Sequence, residues 1–494
     1  MRKVLTYLPH AFNVCVLLLT IAYALWFVSD GKFPHFDPLY NHFTDLSRAF
    51  LKGQVSLLQQ PDPRLATFKD PHDIIYSKIP FLWDTSYFNG KYYIYWGPVP
   101  AIYYMVWTSM VPTPTPDELG ALCPFIGICI VFVLLLYMVR KQYYPHAPVF
   151  TIGLFTLAAA LNPPFILMLA RPMTYEISIL NGQFFLLLGF FFLFRYLTGH
   201  RGWMLIPSGL FMGFSVLSRY NLLISVLVFL MLAVRSIWLS SAEKEILFWK
   251  RRQPLGNTIM LLTPLLACFI FNLWYDNARF GNPLETGLRY QITNAVPGDR
   301  YYSSTYVTTN TYLYLLLPTP VTSKFPYLSI HPFKSVDLPA WAAAMPGKQF
   351  DMDFLGLLNS TAILWFELGS VLALAFLLFR RARHRYPVVP PKRGLVAQLI
   401  FVFLTAGLLQ MVFLLFYYYS AVRFLGDFYL LILTAGFLVW WEIDQLLGKH
   451  VFPRAVFWGS FFILFYSHYW LEFSADLRYT HIYFLKPTLP YIDP

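Results

Sequence analysis

The stretch Asp84–Trp107, DTSYFNGKYYIYWGPVPAIYYMVW, decides how the rest of the chain is threaded. From Tyr92 to Val111 no residue is charged, and about twenty apolar residues suffice to cross a bilayer. Yet the segment is dominated by Tyr and Trp, and GPVP interrupts it. Whether it spans the membrane or lies at its surface sets the side on which every later residue falls.

The chain around it has 494 residues, 57% hydrophobic and 13% charged, with 48 Phe and 34 Tyr. Such a composition implies a polytopic all-α membrane protein rather than a soluble domain. The net charge of +12 then reflects Lys and Arg held in cytoplasmic loops, not a nucleic-acid partner. Cys15, Cys123, Cys129 and Cys268 all sit in apolar runs and read as small core residues, without disulfide or metal-ligand spacing. The first apolar run follows MRK and ends without a small-residue cleavage site, as in a retained signal anchor.

Apolar runs at 11–29, 118–139, 148–168, 173–194, 203–218, 221–239, 256–275, 355–379, 395–416, 427–446 and 452–471 predict eleven transmembrane helices, with 92–111 as a doubtful twelfth. Between 203 and 239, Ser218–Arg219–Tyr220 predicts a turn, because a mid-membrane Arg costs about 3 kcal/mol on the insertion scale. With the N-terminus inside and 92–111 left out, MRK, VRKQYYPH, FRYLTGHR, AEKEILFWKRR, RRARHRYPVVPPKR and LGKHVFPR all fall in the cytoplasm. Counting 92–111 as a span would expel WKRR and RRARHR. The stretch is therefore expected to be interfacial or re-entrant on the external face, where Tyr and Trp suit the headgroup zone and prolines break a helix. The expected organisation is a single membrane-embedded domain over 1–494. It has two long external loops, 30–117 and 276–353, and an external C-terminal tail. No internal repeat or low-complexity segment is visible.

The polar residues gather at external helix ends. YNHFTDLSRAFLKG predicts a short amphipathic surface helix ending near Gly53, with Asp45 at its start. Asp45 is equally read as a helix cap or as a general base. Asp84 is either a turn residue before the tight Asn89–Gly90 turn or a second carboxylate, and Lys91 either snorkels or meets a phosphate. In ARPMTYEISILNG, Arg171 and Glu176 are either an ion pair or a ligand site, a carboxylate inside an apolar helix being costly unless partnered. In LWYDNARFGNPLETGLRYQIT, Asp276, Arg279, Glu285 and Arg289 read as loop salt bridges or as an arginine clamp for phosphate. Arg423 and Asp427, four apart in SAVRFLGDFYLL, form an intrahelical pair or a lipid-phosphate anchor. A sequon at Asn359–Thr361 carries little weight at a helix mouth. No Gly-rich phosphate loop, HExxH or GxSxG occurs, which argues against nucleotide-driven transport by this chain.

The first external loop with its Asp, then DTSYFNGKYYIYWGPVPA, RPMTYEISI, RFGNPLETGLRYQ and SAVRFLGDFYLL, resembles the integral-membrane GT-C glycosyltransferases. The resemblance is to the bacterial branch related to protein O-mannosyltransferases and aminoarabinose transferases, and it covers the chain in layout with loose motifs. It implies a sugar donor carried on a polyprenyl phosphate or diphosphate, a glycan, lipid or protein acceptor, an external active site on a bacterial inner membrane, and inversion at the anomeric centre. It also implies Asp45 as base, with Asp84 as a second carboxylate of the same loop, and Glu176 as the acid of the second external loop, sometimes a metal ligand. Arg279, Arg289, Arg423 and Lys91 become donor-phosphate ligands, with Arg171, Arg219 and Glu285 in support. Asp45 lacks the adjacent second acid of relatives, which leaves open the choice between Asp45 and Asp84 and any divalent metal. The competing class is a transporter or flippase of a phosphorylated lipid or lipid-linked sugar, which would place charges mid-helix. An O-antigen ligase or polymerase would carry its long loop late in the chain.

Overall fold

The computed structural model describes residues 2–29, 31, 42–110, 116–242, 252–292, 301–318 and 391–448, short segments between 331 and 372, and residues 457 and 459. Among these the chain is mostly helical, and seven helices are long and apolar enough to cross a membrane. They lie within α1 (Arg2–Val28), α4 (Asp117–Tyr143), α7 (Thr174–Gly199), α9 (Leu223–Ala242, with the turn before it), α10 (Arg252–Phe280), α12 (Pro391–Leu415) and α13 (Tyr429–Leu447).

The run expected at 148–168 is instead α5 (Thr151–Ala160) and α6 (Pro163–Ala170), bent by 55° at a short break. Pro163 and Pro164 cause the break, since proline removes a helical donor and clashes with the preceding turn. The run at 203–218 forms α8 (Leu205–Ser218), only 14 residues long, and Arg219 leaves the helix at φ −149° before a 3-10 turn. The expected span at 355–379 lies mostly, and that at 452–471 almost wholly, outside the described residues.

The opening stretch forms no membrane-length helix. Ser86–Phe88 (β1) and Lys91–Tyr93 (β2) pair antiparallel as a hairpin. Asn89 and Gly90 close it with φ of 48° and 71°, the left-handed pair that a two-residue hairpin turn requires. After GPVP comes α3 (Val99–Met110), whose 12 residues reach about 18 Å against a hydrocarbon core of about 30 Å. Val106, Trp107 and Met110 on its far half are exposed.

The contacts divide the chain into two compact units. In the one formed by residues 28–128 and 171–299, α7, α8 and α10 pack through small residues. Ser208 and Ser215 of α8 donate to the carbonyls of Gly189 and Gly182 on α7, each at 2.9 Å. A Cβ on Gly209 would lie 2.0 Å from the Leu261 carbonyl oxygen of α10. Close backbone approach of this kind substitutes for the hydrophobic effect, which lipid does not supply between helices.

In the unit formed by 1–27, 129–170 and 300–485, polar side chains join apolar helices. Asn13 of α1 donates to Tyr137 and to the Val149 carbonyl, and accepts from the Gly153 amide. Asn310 of α11 (Val307–Thr311) donates to the Leu415 and Tyr417 carbonyls, capping the end of α12. Phe155 stacks on Phe437 at 4.2 Å, and Trp441 donates to Thr151. Each such bond satisfies a group that lipid would leave bare.

Candidate functional site

The helix expected around Asp45 is present as α2 (His42–Leu51). It buries Phe43, Leu46 and Ala49 completely, while Asp45 and Arg48 are half-buried. It lies along α3, with Ser47 and Thr108 hydroxyls 3.1 Å apart. His42, one turn before Asp45, is buried, hydrogen-bonds the Trp83 backbone and stacks on Trp96. Burial outweighs that hydrogen bond and lowers its pKa from 6.5 to about 4, so it is neutral at pH 7.

Trp96 is the hub of this region. Its ring meets Phe43 and His42 of α2, Tyr95 at 4.0 Å, and Tyr175, the neighbour of Glu176, edge-on at 5.1 Å. The adjacent Gly97 lets the backbone lie against α8, because a Cβ there would sit 1.8 Å from the Leu217 carbonyl oxygen. The aromatic run that resembled a membrane span thus packs together elements carrying three separate carboxylates.

Two of those carboxylates, Asp45 and Glu176, lie near a further pair that sequence reasoning missed. Asp117 and Glu118 occupy the first turn of α4, Glu176 the first turn of α7 and Asp45 the first turn of α2. The Asp117 carboxyl is within electrostatic reach of Glu118, Glu176 and Asp45. It is 1% exposed, and neither of its oxygens has a hydrogen-bond partner among the described residues. Gathering acids in a buried place is costly. Placing each in a helix first turn offsets part of that cost, because the partial positive charge of the helix N-terminus favours an acid there. In PTPDELGALC the pair reads only as a helix start, which is why its sequence signal passed as a loop boundary. Arg171 donates to the Met173 sulfur at 3.1 Å.

Asp84 lies in a turn and in addition makes buried side-chain hydrogen bonds. It is 4% exposed with φ 58°, a left-handed conformation that Asp adopts in turns more readily than most non-glycine residues. Its Oδ1 accepts from Tyr95 Oη at 3.0 Å and from Gln291 Nε2, and Gln291 Nε2 also reaches Tyr95 Oη at 2.8 Å. Around it the segment after Gly287 is stitched to the hairpin. The Ile292 amide donates to the Thr85 carbonyl, Ser86 Oγ donates to the Gly287 carbonyl, and Tyr290 packs on Phe88 at 4.6 Å.

The cations differ in their freedom. Arg279 is buried at the end of α10, donating to the Asp276 carboxylate and the Ile94 carbonyl, with its guanidinium 4.0 Å over the Tyr275 ring. Lys91 and Arg289 hold exposed side chains beside the turn end of the hairpin, where Phe88 pairs with Lys91 and packs on Tyr290. Glu285 accepts from the Gly287 amide and shapes the loop. Arg219 is half-buried at the α8 exit, its Cβ beside Gly182. Arg423 belongs to the other unit, in a 3-10 turn before α13, within 6 Å of the Tyr419 and Phe424 rings at 5.8 and 5.5 Å.

Among the described residues no three His, Cys, Asp or Glu side chains are arranged as metal ligands.

No protein-family model and no curated protein matches the chain. Among solved structures it is similar to the apo form of the Archaeoglobus fulgidus oligosaccharyltransferase, with TM-score 0.47 and 12% identity over 95% of this chain. It spans 56% of that chain's length. A likeness this distant assigns neither fold nor activity.

Proposed function

We propose that the chain is a GT-C type glycosyltransferase that moves a sugar from a polyprenyl-phosphate carrier to an acceptor hydroxyl at the external membrane face. The observation that carries the reading is that Asp45 and Glu176, acids of two different external segments, lie within electrostatic reach of the buried Asp117, with Trp96 packed between their elements. Residues so far apart in sequence gather into an acidic site at helix ends, where a lipid-borne donor can meet a water-facing acceptor.

Asp45 is the base in this proposal. It is half-buried on a surface helix, whereas Asp117 is enclosed and Asp84 already accepts two hydrogen bonds on one oxygen. The acceptor oxygen attacks the anomeric carbon, its proton passes to Asp45, and the carbon–oxygen bond to the phosphate breaks with inversion. Lys91 and Arg289 meet the phosphate as its charge grows, and Arg279 holds the hairpin through Ile94 and Asp276.

The test is donor turnover by protein reconstituted in vesicles with a polyprenyl-phosphate-linked sugar. The Asp45→Asn variant is expected to lose about 100-fold or more in turnover, within the range for removing a general base. Full transfer by that variant overturns the assignment of the base. Absence of donor consumption by the unmodified protein overturns the glycosyltransferase reading and favours transport.

A further inference from the structure

We infer that Asp84 is an inter-loop latch, with Gln291 and Tyr95 as the positioning residues that hold it, rather than a second base. The inference rests on the glycosyltransferase reading only for its activity readout.

Three observations converge. First, the Asp84 backbone is left-handed at φ 58° in a residue that is 4% exposed. Asp tolerates this conformation in turns, and the hydrogen bonds to its buried carboxylate hold it there. Second, one carboxylate oxygen collects donors from two directions. Tyr95 belongs to the same external loop, eleven residues on, while Gln291 arrives from the second loop, 207 positions away. Gln291 Nε2 also contacts Tyr95 Oη, so the three polar groups form a closed triangle. Third, the register of the two segments leaves Gln291 little freedom. Ser86 bridges Gln291 in antiparallel fashion, the Ile292 amide bonds the Thr85 carbonyl, and Ser86 Oγ bonds the Gly287 carbonyl at 2.7 Å. Gly287 is required at φ 93°, with a would-be Cβ 2.3 Å from the Phe280 ring.

The chemistry favours a latch. The carboxylate oxygen that accepts from both a phenol and an amide has its lone pairs engaged by those two donors. Charge-assisted bonds of this kind are also the strong ones, suited to holding two chain segments together. Through Tyr95 the latch abuts Trp96, the ring that packs on α2 beside Asp45 and on Tyr175 beside Glu176. Opening it would loosen the acidic site without removing any of its acids.

A reciprocal swap tests this. Asp84→Asn alone keeps an acceptor oxygen but removes the charge that strengthens both bonds, and Gln291→Glu alone sets a carboxylate against a carboxylate. The double variant restores one of each with the order reversed. Each single change is expected to lower donor turnover by about tenfold or more and to lower Tm in detergent, with Tyr95→Phe showing a smaller loss of the same kind. The double variant is expected to recover both turnover and Tm, a coupling that independent positions would not show. Recovery of Tm without turnover would mean that the Asp84 carboxylate itself takes the proton, which overturns the latch. Failure of the double variant to recover Tm overturns the pairing. If the unmodified protein consumes no donor, the glycosyltransferase reading falls and the Tm cycle alone decides the latch.

Discussion

His42 illustrates how much one buried side chain can impose. Its ring lies between the Trp83 backbone and Trp96, and burial holds its pKa near 4 against 6.5 in the unfolded chain. A depressed pKa means that the unfolded state binds the proton first. The contribution of His42 is therefore fully present above pH 6.5 and is lost as pH falls from 6.5 toward 4. The span of that window corresponds to about 3 kcal/mol. Thermal denaturation across this range should show a falling Tm that flattens in His42→Gln, and an unchanged slope in that variant would refute the assignment. Asp45 and Glu176 were legible as candidates because a carboxylate beside an apolar helix demands an explanation. Asp117 and Glu118 were not, because an acid at a helix start is ordinary; only their convergence on Asp45 and Glu176 distinguishes them.

At the level of elements, helix packing rests on where side chains are missing. Gly209 of α8 faces the Leu261 carbonyl of α10 at a distance no Cβ can occupy, whereas nothing lies within 4 Å of a Cβ on Gly199. Gly209→Ala should therefore destabilise the protein by about 1–3 kcal/mol, and Gly199→Ala should be neutral or slightly stabilising. Tm values of the two variants in the same detergent make the comparison, and equal values would contradict the packing described. The hairpin was half-legible. Asn89–Gly90 announces a tight turn, but alternation over three-residue strands is too short a signal to reveal β1 and β2. The α5–α6 bend was readable in principle from Pro163–Pro164, yet the continuous apolar run around them masked it.

For the whole molecule, the threading proposed from charge bias makes an independent prediction. With the four native cysteines replaced, Lys69→Cys in the first long loop should react with an impermeant thiol reagent added from outside. Lys141→Cys, at the end of α4, should react only after the membrane is opened. Both positions are exposed, so labelling with the opposite sidedness would invert the topology. The sequence by itself determined the membrane class, most of the described spans, the amphipathic helix bearing Asp45 and the turn at Asn89–Gly90. These follow from composition, local periodicity and turn chemistry, which act over a few residues and need no distant partner. Tertiary structure alone decided that Asp117 joins Asp45 and Glu176, that Arg279 is engaged by Asp276 and Ile94, and that Asp84 meets Gln291 from the other loop. Those are contacts between segments up to 207 positions apart. Which side chain meets which at that separation depends on how the helices and loops pack, and no spacing within a single sequence encodes it.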